Sequence, residues 1–201
     1  MITPRSPLDK HILYLQILTL SRIPLAMLFS GFMRYTNLSG WSISVAALII
    51  VVSEATDFLD GRLARKYGRA SRWGAILDPL SDSIYHIVVY TALAADGLVF
   101  PIVPLILAVR DITIAYVRIV LSWYRQPVGA KWSGKIKAGT QAVCSVILLC
   151  GPLYWEYIPK QLAIPFVSGL LVVVTLGSTW EYFRSVYRAI RDMELTEEKP
   201  A

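Results

Sequence analysis

Long apolar segments dominate this 201-residue sequence and constrain its fold more than any other feature. Each segment is close to the roughly 17–25 residues that a helix needs to cross a bilayer, if polar residues are allowed at one end. The segments cover residues 12–33, 41–57, 75–95, 99–121, 139–154 and 162–183, approximately. The sequence therefore predicts an all-α, polytopic membrane protein with six transmembrane helices in a single domain, residues 1–201.

The composition and the chain start fit this interpretation. Hydrophobic residues make up 55% of the chain and charged residues 17%, and the mean hydropathy is +0.53, which is not typical of a soluble domain. Short connections between the segments leave no room for a separate soluble domain. Residues Met1 to Lys10 contain two prolines and lack the small-residue cleavage site of a signal peptide, so we expect a short interfacial arm there.

Four aspartates interrupt the apolar pattern between Asp57 and Asp82, in the stretch DFLDGRLARKYGRASRWGAILDPLSD. A carboxylate in or beside a bilayer is costly, so a group of four indicates a functional site. If the flanks are helical, Asp57 and Asp60 fall at i and i+3 on one helix face. Asp78 and Asp82 then fall at i and i+4 on one face of the next helix. The short basic link between the helices would fold them into a hairpin whose acidic stripes face each other.

The chemistry of these four side chains favours hard divalent cations. Carboxylate oxygens together with water suit Mg²⁺ or Mn²⁺. Two such ions carry a charge of about +4, which four carboxylates offset, and the ions keep the capacity to bind phosphate. The sequence therefore predicts a site for two divalent cations, Mg or Mn, that acts on a phosphate-bearing substrate.

A longer signature runs through the same stretch, with the spacing D-x2-D-G-x2-A-R-x8-G-x3-D-x3-D. Its eight positions are Asp57, Asp60, Gly61, Ala64, Arg65, Gly74, Asp78 and Asp82. The pattern matches the signature of the CDP-alcohol phosphatidyltransferase family without a gap or substitution. The chain resembles this family over most of its length, and most closely the branch of phosphatidylglycerophosphate and cardiolipin synthases. The resemblance implies transfer of a phosphatidyl group from a CDP-linked lipid, CDP-diacylglycerol, to an alcohol, with release of CMP.

The resemblance also implies roles for the residues of the signature. The four aspartates would hold the two cations against the donor pyrophosphate, and Asp82 would take the proton from the acceptor hydroxyl. Gly61, Ala64 and Gly74 are small, so the nucleotide and the diphosphate can approach the helix backbone. Arg65 would contact the diphosphate or the cytidine. Direct attack of the hydroxyl on the lipid-side phosphorus is favoured, and a covalent carboxyl-enzyme intermediate stays open.

Basic residues in the second half of the chain indicate an acceptor that carries its own phosphate. Glycerophosphate-using members of the family have a similar Arg-acid pair, a second Arg eight residues later and a G-K-x-K-[TA] run. The corresponding residues here are Arg110, Arg118, Lys135 and Lys137. Helix geometry separates Arg110 from Arg118 by about 12 Å and puts the two lysines on different faces. We therefore expect two or three of the four to reach one phosphate, and glycerol 3-phosphate as the acceptor.

Residues outside the signature carry smaller expectations. The segment from Leu15 to Arg22 resembles the family opening P-N-x-L-T-x-x-R, with Leu and Gln in place of Pro and Asn. Arg22 should face the cytoplasmic cavity or a partner acid. Glu54 is either a packing acid or a neighbour of the metal site. His86, one turn past Asp82, should pack or form a hydrogen bond rather than bind metal.

Small residues in the spans, including Gly169 and Gly177, are expected to be helix-packing contacts. The family resemblance implies a homodimer, and the spans imply contact with membrane lipids.

The distribution of positive charge predicts an orientation. Lysine and arginine concentrate in the links 66–73 and 125–137 and in the C-terminal tail, whereas the alternate links carry few. The positive-inside rule then puts both termini and the acidic hairpin on the cytoplasmic side of a membrane, the bacterial inner membrane. The net charge of +6 and pI near 9.4 restate this bias, suit an anionic membrane surface and require no nucleic acid.

Three alternatives stay open. A cardiolipin synthase would use phosphatidylglycerol as the acceptor and would need a second groove open to lipid. A phosphatidylinositol-phosphate synthase, like a glycerol 3-phosphate enzyme, would need a wide polar acceptor pocket. A cation transporter would explain intramembrane acids. It would not explain why Gly61, Arg65 and Gly74 stand at the offsets of the signature.

Overall fold

The computed structural model describes the backbone of residues 7–66, 74–123 and 132–197. It describes side chains within residues 17–56, 77–121 and 132–191, apart from Ala189. All regular structure in these ranges is helical. The helices are α1 (Pro7–Tyr35), α2 (Gly40–Lys66), α3 (Gly74–Ala95), α4 (Ile102–Trp123), α5 (Trp132–Leu149), α6 (Gly151–Tyr154) and α7 (Lys160–Glu197). The prediction of an all-α fold is confirmed.

The six long helices of the described chain coincide with the six apolar segments, but several of them extend beyond the predicted ends. Helix α2 continues to Lys66, so the first acidic flank is helical, as the hairpin prediction required. Helix α5 begins at Trp132 and α7 continues to Glu197. Helix α1 begins at Pro7, which makes the last part of the predicted N-terminal arm helical; residues 1–6 lie outside the described chain. Hydropathy marks only the apolar part of each helix, so polar end turns are missed.

Helices of spanning length and composition are fewer than predicted. Within the described residues, two stretches are long and apolar enough to cross a membrane, Ile17–Tyr35 and Lys160–Arg188, while Gly40–Thr56 is apolar but shorter. Only 28% of the apolar window in each of the two is buried inside the protein. Charged residues such as Asp82 and Arg110 lower the hydropathy of α3 and α4. The prediction of six spans is therefore not confirmed and stays a prediction.

The core forms where α1, α2, α3 and α5 pack together. Phe29 of α1, Ile50 of α2, Leu93 of α3 and Leu149 of α5 are each fully buried there. The hydroxyl of Tyr90 donates a 2.7 Å hydrogen bond to the backbone carbonyl of Gln141 and so connects α3 to α5. Helix α4 packs against α3 and α7. A smaller apolar cluster joins it to α7; its buried members are Ile114, Leu121, Tyr182 and Val186.

One end of the bundle is identified by contacts among its links. Burial raises the pKa of the Asp96 carboxyl, which lies just after α3, and the charge of Arg34 in the last turn of α1 opposes this rise. The backbone N–H of Phe100, before α4, donates to the hydroxyl of Ser168 in α7 at 3.4 Å. Gly97 has φ of 69°, a left-handed conformation that glycine adopts without a steric cost. We call this region the link end of the bundle; the acidic hairpin lies toward the opposite end.

The prediction that Gly169 and Gly177 are helix-packing contacts is wrong within this chain. Both glycines are exposed on α7, and a Cβ added at either one would meet no atom within 4 Å. The packed face of α7 instead carries residues such as Leu171, Thr175 and Ser178, which are buried. The glycines fall on other faces because their positions do not follow the helical repeat of that buried stripe.

Candidate active site

Asp78 and Asp82 lie one turn apart on α3, as their i, i+4 spacing predicted. Asp78 is exposed, and the side chain of Asp82 is 33% exposed. Pro79 stands between them inside the helix and has no N–H to donate, so the backbone hydrogen-bond ladder lacks one bond there. Because Asp78 is exposed and Asp82 is partly exposed, a ligand can reach both carboxylates.

A matching stripe on α1 holds these two carboxylates. The hydroxyl of Thr19 donates to Asp78 Oδ1 at 3.1 Å. Arg22 donates through Nη2 to Asp82 Oδ1 at 3.2 Å, and its guanidinium lies 5.0 Å from the centre of the Tyr85 ring. Arg22 is fully buried, and a buried charge of this kind needs a paired acid. The expectation that Arg22 faces a partner acid is confirmed. The contact of Thr19 was not predicted, although Thr19 occupies the threonine position of the opening motif.

His86 connects Asp82 to α2. Its Nδ1 lies 3.0 Å from the backbone oxygen of Asp82 and 3.2 Å from Asp82 Oδ1. Its Nε2 lies 3.6 Å from Glu54 Oε1, and the residue is only 2% exposed. The structure thus agrees with the expectation that His86 forms hydrogen bonds. It places Glu54 beside the acid cluster, where the sequence left two roles open.

The first half of the signature belongs to the last turns of α2. Residues Asp57, Asp60, Gly61, Ala64 and Arg65 are helical, and Gly74 is the first residue of α3, but their side chains lie outside the described residues. Two of the four predicted metal ligands are therefore described. Among the described side chains, no group of three or more His, Cys, Asp or Glu is arranged to hold a metal ion.

Helices α2 and α3 run in opposite directions, and Glu54 Oε1 of α2 lies 3.6 Å from His86 Nε2 of α3. Asp57 lies three residues beyond Glu54 toward the hairpin link, which is about 4.5 Å along a helix axis. Asp82 lies four residues from His86 in the same direction, which is about 6 Å. The two positions are therefore at nearly the same height in the hairpin.

A second polar cluster lies where α4, α5 and α7 meet. Arg110 Nη1 and Lys137 Nζ both donate to Asp111 Oδ1, each at 2.7 Å. Arg110 Nη2 also donates to the hydroxyl of Ser178 in α7 at 3.3 Å. Lys137 is 5% exposed and Asp111 is 8% exposed. Two cations share one anion in this cluster, which leaves an excess of about one positive charge.

The acidic and basic clusters are neighbours. Lys137 interacts electrostatically with Asp82 as well as with Asp111. An anionic group that binds at Arg110 and Lys137 would therefore lie beside the acid predicted to act as the base. The described residues thus form an acidic cluster and an adjoining cationic cluster.

The other two predicted acceptor residues lie elsewhere. Arg118, two turns beyond Arg110 on α4, places its guanidinium 5.7 Å from the centre of the Tyr182 ring. Lys135 is exposed, and its amine lies 5.0 Å from the centre of the Trp132 ring. The structure thus brings together Arg110 and Lys137, and it leaves Arg118 and Lys135 outside that cluster. This division agrees with helix geometry, which separates Arg110 from Arg118 along α4 and puts Lys135 and Lys137 on different faces of α5.

The fold and the site define a class of protein. The chain belongs to the CDP-alcohol phosphatidyltransferase family, whose sequence profile matches residues 15–180. It is therefore a membrane-associated transferase of phospholipid biosynthesis, and the family predicted from the signature is confirmed.

Several bacterial proteins are similar to this chain over most of their length. The chain is similar to proteins named CDP-diacylglycerol–glycerol-3-phosphate 3-phosphatidyltransferase from Shigella flexneri serotype 5b (strain 8401), Shigella boydii serotype 4 (strain Sb227) and Escherichia coli (strain K12). Each is 32% identical over 162 residues, which cover 76% of this chain and 84% of the relative.

Proposed function

We propose that this enzyme transfers the phosphatidyl group of CDP-diacylglycerol to glycerol 3-phosphate, giving phosphatidylglycerophosphate and CMP. The observation that carries the proposal is the pair of cations, Arg110 and Lys137, held together beside Asp82. A neutral alcohol would not need buried cationic donors, whereas an acceptor with its own phosphate does. The names of the similar bacterial proteins support the same acceptor.

The residues of the hairpin fit two divalent cations, Mg or Mn. Asp57, Asp60, Asp78 and Asp82 would hold them, since four carboxylates at the ends of two antiparallel helices supply the oxygen ligands that hard cations prefer. The described half agrees with this, because Arg22 and Thr19 contact Oδ1 of their aspartates and both carboxylates reach the protein surface. When bound, the cations would neutralise phosphoryl oxygens and stabilise the charge on the departing CMP.

The rest of the signature would bind the donor. Gly61, Ala64 and Gly74 leave room for the nucleotide and diphosphate against the helices. Arg65 would pair its guanidinium with the diphosphate or the cytidine. These roles come from the family resemblance, because the side chains lie outside the described residues.

Asp82 is proposed as the base for the acceptor hydroxyl. Its Oδ1 is held by Arg22 and by His86, so the carboxylate has a fixed orientation. Lys137 lies near enough to attract it and would bring the acceptor phosphate close to it. The proton of the acceptor hydroxyl would pass to Asp82 while the hydroxyl oxygen attacks the lipid-side phosphorus.

The placement in the membrane belongs to the same proposal. Six helices would cross the bilayer, with the acidic hairpin and both termini on the cytoplasmic side of the bacterial inner membrane. The basic links and tail support this orientation. A homodimer remains a prediction.

The test is CMP release by the purified protein with CDP-diacylglycerol and Mg²⁺ or Mn²⁺. Glycerol 3-phosphate, phosphatidylglycerol and inositol 1-phosphate are each supplied as the acceptor. We expect release only with glycerol 3-phosphate. We also expect no release from the Asp78→Asn variant, whose amide keeps the shape of the carboxylate but loses its charge. Release that depends on phosphatidylglycerol or inositol 1-phosphate would reassign the acceptor, and full activity of Asp78→Asn would contradict the two-cation site.

A further inference from the structure

The most constrained group near the proposed metal site is the imidazole of His86, which lies between the carboxylates of Asp82 and Glu54. We infer that His86, supported by Glu54, is a positioning residue that fixes the orientation of the Asp82 carboxylate toward the divalent cations. This inference rests on the proposed function, because it assigns a role toward the cations of that site. It adds two residues that the signature does not contain.

The contacts on Asp82 converge on one of its two carboxylate oxygens. Arg22 Nη2 and His86 Nδ1 both lie 3.2 Å from the same oxygen, Oδ1. Among the described residues, no hydrogen bond or ion pair reaches Oδ2. Partial rotation of the carboxylate would weaken both contacts at once, so the two side chains favour the orientation in which one oxygen faces them and the other faces away. Oδ2 is therefore the oxygen presented to a ligand, and two side chains hold it in that direction.

The atoms around the His86 ring indicate which of its nitrogens carries hydrogen. The two atoms nearest Nδ1 are the backbone oxygen of Asp82 at 3.0 Å and its Oδ1 at 3.2 Å, and both can only accept. Nδ1 must therefore carry the hydrogen and donate it. By donating through Nδ1, His86 holds both the carboxylate and the backbone carbonyl of Asp82.

The imidazole of His86 has little freedom to turn. His86 is 2% exposed, and Glu54 Oε1 lies 3.6 Å from Nε2 on the opposite side of the ring. The ring of Tyr85 packs edge-on against it, with the centroids 5.1 Å apart. Glu54 belongs to α2, so the imidazole stands between that helix and Asp82 of α3. Loss of the imidazole would remove one of the two contacts that hold Asp82 Oδ1.

The arrangement resembles the outer contacts of known metal sites, where a partner beyond the ligand fixes its orientation. Removal of such a partner commonly lowers metal affinity by roughly 10- to 100-fold. A histidine that only fills space would affect stability instead. Metal affinity and stability therefore separate the two roles.

The experiment measures Mn²⁺ binding to the full-length protein in detergent, without lipid substrates, by electron paramagnetic resonance. In His86→Gln the amide stands near the Nε2 position and the donor to Asp82 is lost. In His86→Asn an amide N–H stands near the Nδ1 position and the donor is kept. We expect His86→Gln to weaken Mn²⁺ binding about tenfold or more and His86→Asn to stay within about threefold of the wild type.

Tyr90→Phe serves as a control for the Mn²⁺ measurement, and Glu54→Gln as a second test of the inference. Tyr90→Phe removes a buried hydrogen bond one turn further along α3, away from Asp82, and should leave Mn²⁺ affinity unchanged. Glu54→Gln keeps the size of the side chain, removes its charge and should weaken Mn²⁺ binding severalfold. It also provides a second reading if His86→Gln does not fold, which melting curves would show.

The Mn²⁺ affinities of these variants test the role of His86 separately from the proposed cation site. Weaker binding in His86→Gln, recovery in His86→Asn and no change in Tyr90→Phe would support the inference. Wild-type affinity in both His86→Gln and Glu54→Gln would overturn it and leave the proposed function in place. Absence of saturable Mn²⁺ binding by the wild type would overturn the proposed cation site and this inference together.

Discussion

At the scale of single residues, the acid site depends on contacts between side chains that are about 60 positions apart in the chain. Thr19 and Arg22 on α1 hold Asp78 and Asp82 on α3. The two donors are three residues apart and the two acceptors four apart, so one helical stripe matches another. The carboxylates that the signature identifies therefore take their orientation from residues outside the signature.

Thr19→Val tests this matching, because valine has nearly the same shape and lacks the hydroxyl. Loss of a hydrogen bond to a charged group is worth roughly 1.5–3 kcal/mol, so we expect kcat/KM for phosphatidyl transfer to fall about tenfold or more. Thr19→Ser keeps the hydroxyl and should retain most of the activity. Steady-state CMP release with saturating Mg²⁺ measures both variants. Equal rates for the valine and serine variants would mean that the contact with Asp78 has no part in transfer.

Some of the residues in the acid site could be predicted from the sequence, but most of their contacts could not. The signature spacing indicated the four aspartates, and the cost of burying a charge indicated that Arg22 needs an acid. The particular acid, Asp82, and the contact between Thr19 and Asp78 depend on how α1 packs against α3. No local pattern specifies that packing. His86 was recognised as a hydrogen-bonding residue, but its second neighbour, Glu54, belongs to another helix, and no local pattern in the sequence places it there.

At the scale of helices, α5 distributes its polar residues over two environments. Lys137 is buried against Asp111 of α4, whereas Lys135, two residues earlier, is exposed above Trp132. Residues at i and i+2 lie on different faces of a helix. This pair provides a matched comparison within one turn, because the substitutions are chemically identical.

Lys137→Gln should raise the KM for glycerol 3-phosphate about tenfold or more, because the variant loses the buried cation that is proposed to hold the acceptor phosphate. Lys135→Gln should change the same KM by less than about twofold, because an exposed lysine contributes little. The KM for CDP-diacylglycerol should change little in either variant. Initial rates at varied acceptor concentration measure the effect. A larger rise in KM for Lys135→Gln than for Lys137→Gln would move the acceptor site to the exposed face of α5.

Helix α5 also carries a buried amide whose polar atoms find no hydrogen-bond partner among the described residues. This residue is Gln141, which is 1% exposed. Neither its Oε1 nor its Nε2 forms a hydrogen bond with a described residue. Desolvation of such a group costs about 1–3 kcal/mol, so Gln141→Met should raise the melting temperature of the protein in detergent. Gln161→Met on the exposed side of α7 should leave it unchanged. A lower melting temperature for Gln141→Met would show that the amide has a polar partner, such as a bound water.

The helices themselves were predictable where apolar residues are continuous, and their ends were not. Hydropathy located all six long helices of the described chain, yet it ended the second segment at residue 57, whereas α2 continues to Lys66. The turns after residue 57 contain Asp60, Arg62, Arg65 and Lys66, so hydropathy alone does not extend the segment through them. The packing role assigned to Gly169 and Gly177 failed for a related reason: composition shows that small residues are present but not which face they occupy.

At the scale of the whole molecule, the bundle has two chemically different ends. At the link end, Arg34 lies near Asp96, and Phe100 contacts Ser168. Toward the other end lie the acidic hairpin and the basic residues of α4 and α5. Successive long helices alternate in direction, so α1 begins and α7 ends at the end opposite the link end. A membrane that contained this bundle would have the proposed acid site on one side and the link end on the other.

Cysteine labelling tests this orientation. In a background with Cys144→Ala and Cys150→Ala, we expect Asn37→Cys and Glu156→Cys, both exposed and both in alternate links, to react in intact spheroplasts with a maleimide that cannot cross the membrane. Ser71→Cys in the basic hairpin link should react only after the membrane is permeabilised, because the positive-inside rule puts that link in the cytoplasm. CMP release by each variant checks that it has folded. Labelling of Ser71→Cys from outside, with Asn37→Cys protected, would invert the orientation and put the acid site on the side without CDP-linked lipid. If all three positions reacted from outside, the bundle would not cross the membrane as six helices.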